Sequence, residues 1–119
     1  MKDLLEKIFW IETQMQLAHW QEEYGFRHEQ LGKFYEEIQD LFDLLIESYS
    51  GFLGKKIKVS ESLFKLQNDI DINDALLVEI RKFIETLKKS KDFEHYFLQN
   101  VLDDIATLTE RYSYLLNRK

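Results

Sequence analysis

The sequence predicts an all-α protein, a four-helix bundle with a long crossover in the middle. Three observations carry that prediction. The chain has no proline and only four glycines, and proline is the residue that most often breaks helices and marks turns. Apolar residues recur at three- and four-residue spacing along four separate stretches. Residues 50–72 lack that spacing, and they form a connection much longer than neighbouring antiparallel helices usually need.

The first helix is expected over 3–24. Leu4, Ile8, Ile11, Met15 and the Ala18/His19 pair share one stripe, which puts His19 on the inward side. Gly25 ends this helix, as glycine does at the position after a C-cap. The second helix is expected over 27–49, with Leu31, Tyr35, Ile38, Phe42, Leu45 and Tyr49 inside. Phe34, Leu41 and Leu44 widen its apolar arc beyond the roughly 100° that one contact needs, so it should touch more than one neighbour. Beside that arc runs an acidic row of Glu36, Asp40, Asp43 and Glu47.

The connection over 50–72 holds Gly51 and Gly54, and Ser60 is placed to cap a short helix, SESLFKLQ. The third helix is expected over 73–89, capped by Asn73, with Lys88 and Lys89 suiting its negative C-terminal end. The fourth is expected over 92–117, capped by Asp92, with Phe97, Leu98, Val101, Ile105, Leu108, Tyr112 and Leu115 facing in. One domain, residues 1–119, accounts for the whole pattern. Four helices with one long central connection describe a ferritin-like bundle better than a simple up-down-up-down one.

Composition narrows the function. The net charge is −6, and an acidic chain is repelled by phosphate backbones, so DNA is not an expected partner. There is no cysteine, which excludes disulfides, thiolate metal sites and cysteine nucleophiles. The opening MKDLLEKIFWIE carries Asp3, Glu6 and Glu12 and does not read as a signal peptide. No apolar run approaches the roughly 20 residues that span a bilayer, so no membrane is expected and the cytoplasm is the expected location.

The chemistry gathers in residues 17–47. His19 and His28 flank the glycine turn, and Asp43 and Glu47 follow one turn apart on the next helix. Imidazole and carboxylate together suit Fe(II), a borderline cation. Yet His28 and Asp43 lie about 22 Å apart along one helix, at 1.5 Å per residue. Within one chain the histidines and the carboxylates cannot share a metal. In a two-fold dimer that pairs antiparallel copies of the second helix they can.

The residues resemble a known family. Ala18-His19-Trp20, Gly25-Phe26, His28 and the run from Asp43 to Glu47 match, in order, the histidine, histidine, aspartate and glutamate ferroxidase ligands of the Dps family, the mini-ferritins. The resemblance implies a ferritin-like fold, with His19 and His28 of one subunit facing Asp43 and Glu47 of another. It implies a homo-oligomer, a two-fold dimer and in the family a hollow dodecamer. It also implies iron as the metal, with Fe(II) oxidised by hydrogen peroxide and the ferric product stored. Three departures stand out, one being that the chain is short and lacks the lysine-rich tail by which some members of the family bind DNA. The segment between the histidines is shorter than in the family. Gly32 also stands where the family carries an acidic residue, so a second iron should be held weakly. No Glu-x-x-His occurs, as the diiron ferritins would require.

Each residue also has a plainer reading. A lone inward histidine is usually a hydrogen-bonded core residue, and an acidic row is usually a solvated face. The ordered set of four is what favours iron. His95 falls off the fourth stripe and reads as a surface histidine. Trp10 and Trp20 read as core or interface residues. The alternative from another class is a metal-free helical bundle that keeps the dimer face as an interaction or scaffold module.

Overall fold

The computed structural model describes residues 4–54, 67–68 and 75–117. They form four α-helices and no strand: α1 Leu4–Gln21, α2 Phe26–Leu53, α3 Leu77–Lys89 and α4 Tyr96–Leu116. A short 3-10 turn, Lys91–Phe93, joins α3 to α4. The expected apolar stripes supply one core. Leu4, Ile8, Ile11 and Met15 meet Leu31, Phe34, Ile38, Phe42 and Leu45, while Ile80, Phe83, Ile84 and Leu87 meet Leu98, Val101, Leu102, Ile105 and Tyr112.

Side-chain contacts fix the helix directions. Phe34 near the start of α2 stacks on Tyr112 near the end of α4, ring centroids 4.7 Å apart, and Phe52 meets Phe97 at the other ends. So α2 and α4 are antiparallel. Arg81 reaches Glu110 at 2.6 Å, and Lys88 pairs with Asp103, so α3 and α4 are antiparallel too. It follows that α2 and α3 run parallel, and the chain between them must return along the bundle. Two described residues mark that return. Gln14, fully buried on α1, donates to the Gln67 carbonyl at 3.1 Å and accepts from the Gln67 N–H at 2.6 Å. Gln21 adds a bond to Asn68. At Gln67 and Asn68 the chain lies beside α1, and the bundle runs up-down-down-up. The short helix expected from Ser60, and the Asn73 cap, lie outside the described residues.

Two element boundaries differ from expectation, and so does the facing of one residue. α2 does not stop at Tyr49 but continues to Leu53, through Gly51. A mid-helix glycine costs only about 1 kcal/mol, and the helix ends where Gly54 takes a left-handed φ of 61°. The fourth helix does not begin at Asp92. Ser90 caps the 3-10 turn by accepting from the Asp92 N–H, and His95 caps α4 by accepting from the Phe97 N–H. His95 is exposed, as expected, but it has partners: its ring stacks on Phe52 at 3.9 Å. Phe97 does not face inward. It sits in the first turn of α4, exposed, and packs edge-on against Phe52.

Candidate metal centre

The α1–α2 turn builds the histidine half. Gly25 adopts a φ of 134°, a region closed to side chains that carry a Cβ, and this lets α2 start directly after a short turn over 22–25. His19, in the last turn of α1, then lies against His28, in the first turn of α2. Their rings stack with centroids 4.1 Å apart and planes 26° from parallel.

Both rings are oriented by backbone. His19 Nδ1 lies 2.8 Å from the His28 carbonyl oxygen, and His28 Nδ1 lies 3.2 Å from the Glu22 carbonyl oxygen. A carbonyl oxygen only accepts, so in each ring Nδ1 carries the proton and donates. In the neutral rings the lone pair then sits on Nε2. Metal-binding imidazoles show the same arrangement, in which a bond from one ring nitrogen fixes the tautomer and leaves the other as ligand.

Gly32 takes its meaning from this pair. A Cβ built on Gly32 would fall 2.8 Å from Cε1 of His19. The His19 ring occupies the space that a side chain at 32 would need. The missing carboxylate is therefore the local condition for the observed placement of His19.

The carboxylate half sits elsewhere. Asp43 and Glu47 are exposed on α2, and among the described residues neither forms an ion pair. Among those residues no three His, Cys, Asp or Glu side chains gather within the chain. The structure thus brings His19 and His28 together and keeps Asp43 and Glu47 apart from them.

One residue that sequence reasoning passed over belongs to the acidic half. Glu12 is half-buried between α1 and α2, and its carboxyl is pushed up from 4.5 to about 7, first by burial and then by the charge of Asp43. The signal was present in the chain. Glu12 lies two turns before His19 on the same side of α1, and the antiparallel register that sets His19 on Gly32 carries Glu12 toward Asp43.

The same hairpin carries several exposed apolar side chains. Phe9, Trp20, Tyr24, Phe26 and Leu44 are all exposed on the α1–α2 hairpin, and Tyr24 leans on His28 with ring centroids 5.3 Å apart. Trp10 is half-buried with Lys7 over its ring. Among the described residues no helix is long and apolar enough to cross a membrane. No curated protein and no solved structure matches the chain. A family of unknown function, DUF5856, matches residues 19–116, a span that holds both histidines and both carboxylates, and the chain belongs to it.

Proposed function

We propose that the protein is a Dps-like iron-handling protein that binds Fe(II) between subunits, oxidises it with hydrogen peroxide and holds the ferric product. The observation that carries the reading is the histidine pair, with both Nδ1–H groups tied to backbone carbonyls and both Nε2 atoms left to coordinate. Two imidazole nitrogens and two carboxylates form a donor set that suits Fe(II).

The fold supports the reading in two further ways. The up-down-down-up order with a parallel central pair is the plan of ferritin-like bundles. The exposed aromatic side chains of the hairpin form the kind of apolar surface that marks an interface. A two-fold axis near the middle of α2 sets His19 and His28 of one copy opposite Asp43 and Glu47 of the other. The same pairing is open to a ring or to a twelve-subunit shell.

In this reading iron is the substrate. Two Fe(II) ions give one electron each and peroxide takes both, so no hydroxyl radical is released. The protein's own residues hold the ions side by side, keep positions open for peroxide and supply carboxylate charge to favour the ferric product.

The test exploits the shared site. His19→Ala/His28→Ala subunits and Asp43→Ala/Glu47→Ala subunits should each fail to oxidise iron. Refolded together, they form mixed dimers with one complete site, and part of the activity should return. Mixed dimers without activity would overturn the shared site. A protein that takes up no iron in any form would favour the metal-free scaffold.

A further inference from the structure

We propose that His95 is a pH-sensitive clasp that fastens the start of α4 to the end of α2. It lies at the end of the bundle opposite the His19/His28 turn and is independent of any metal.

The His95 ring does two jobs at once. Its Nδ1 accepts the backbone N–H of Phe97 at 3.1 Å, which makes His95 the N-cap of α4. A backbone N–H only donates, so this Nδ1 carries no proton. The flat of the ring stacks on Phe52 in the last turn of α2, centroids 3.9 Å apart, and on Tyr96, centroids 4.7 Å apart. Phe52 also meets Phe97 edge-on at 5.8 Å. One imidazole thus ties the last turn before the crossover to the first turn of α4.

Only the neutral ring can do both jobs. A second proton turns Nδ1 into a donor that faces the Phe97 N–H, so the cap bond is lost. It also sets a positive charge at the positive end of the α4 dipole. Attraction between the cation and the faces of Phe52 and Tyr96 offsets part of this. The clasp should therefore loosen first on its α4 side, while the ring stays on Phe52.

The charged and titratable groups around it are few among the described residues. The preceding turn brings Lys91, Asp92 and Glu94. Asp92 is engaged by the Tyr49 hydroxyl, and Glu94 is exposed, where its pull on an imidazolium is screened by water. α2 brings Tyr49 within one turn of Phe52, and Glu47 lies further back along the same helix. α3 ends in Lys88 and Lys89, of which Lys88 is held by Asp103. The cap is closed while Nδ1 carries no proton and opens when Nδ1 takes one up, which falling pH favours.

Urea unfolding of the wild type and of His95→Asn at pH 8 and pH 5 tests this. Asparagine caps helices well and does not titrate. Every other titrating group is common to both proteins and cancels in the comparison. Between pH 8 and pH 5 the wild-type folding constant should fall about fivefold more than that of the variant, the size of one lost cap. Nitrogen-15 spectra of the wild type supply a second reading that needs no variant. At pH 8 His95 should carry its proton on Nε2, and protection of the Phe97 amide should drop at pH 5. Parallel pH profiles for the two proteins would overturn the proposal, as would a proton on Nδ1 at pH 8.

Discussion

At the scale of single residues, Gly32 and Glu12 each set two effects against one another. Replacing a mid-helix glycine by alanine normally gains up to about 1 kcal/mol. At Gly32 the new Cβ would displace the His19 ring from 2.8 Å and disturb its bond to the His28 carbonyl. We expect Gly32→Ala to change stability by less than about 1 kcal/mol, because the ring can swing aside, yet to weaken binding of Fe(II) or Co(II) clearly. Thermal melts beside a metal titration check this, and unchanged metal affinity would contradict it.

Glu12 carries the opposite balance. Its carboxyl is raised to about 7 in the fold, against 4.5 without it, so between those values the folded chain binds more protons than the unfolded one. Stability then falls as pH rises from about 4.5 to about 7, and the loss is complete above that. Glu12→Gln removes this slope. Discounted for its partial exposure, the variant should be more stable than the wild type by about 1 kcal/mol at pH 8 and no different near pH 4. Denaturant midpoints at the two pH values decide it, and a variant less stable at pH 8 would show the sign to be wrong.

At the scale of elements, two features hold the links between helices. The first is Gln14, whose side-chain amide takes both backbone groups of Gln67. Gln14→Leu keeps the volume and removes both bonds; Gln67 is exposed, so water can take its N–H and carbonyl, and the loss should be about 1–2 kcal/mol for the two bonds. Urea unfolding measures it, and a cost near zero would mean that the connection detaches from α1 with little penalty. The second is the 3-10 turn, which drives Phe93 fully into the core against Tyr49, ring centroids 4.9 Å apart, and so closes the bundle at that end. Gln99 ties the same turn by donating to the Lys88 and Phe93 carbonyls. The surface ion pairs between helices contribute little by comparison, since exposed pairs are worth about 0–1 kcal/mol.

At the scale of the whole molecule, the α1–α2 hairpin presents Phe9, Trp20 and Leu44 to solvent and also carries Glu12, Asp43 and Glu47. The proposed dimer covers this face. A solution mass of at least a dimer at micromolar concentration is expected, and a monomer would contradict both the interface and the shared site. Glu47→Gln removes a charge and keeps the shape, so it should abolish peroxide-driven iron oxidation and leave that mass unchanged. With a net charge of −6, plain duplex DNA should show no gel shift at about 0.15 M salt.

Much of the bundle was legible in the chain, because helical periodicity is a local signal. Four apolar stripes, a missing proline and a long unpatterned connection set the helix number, the core residues and the need for a return along the bundle. Helix ends were less legible. Capping depends on which side chain finds a free N–H, and the sequence pointed to Asp92 while His95 read as a surface histidine. The structure chose His95, because Ser90 first bends the chain into a 3-10 turn that buries Phe93. The candidate site divides in the same way. Spacing placed His19 and His28 on either side of one turn, and helical rise alone separated them from Asp43 and Glu47. Contact across the turn was needed to show that the two rings stack, that backbone carbonyls fix both tautomers and that the His19 ring fills the space beside Gly32. The packing of α1 on α2 also brought Glu12 within reach of the charge of Asp43. Sequence spacing describes one helix at a time, whereas the register of two helices is set by how their side chains pack.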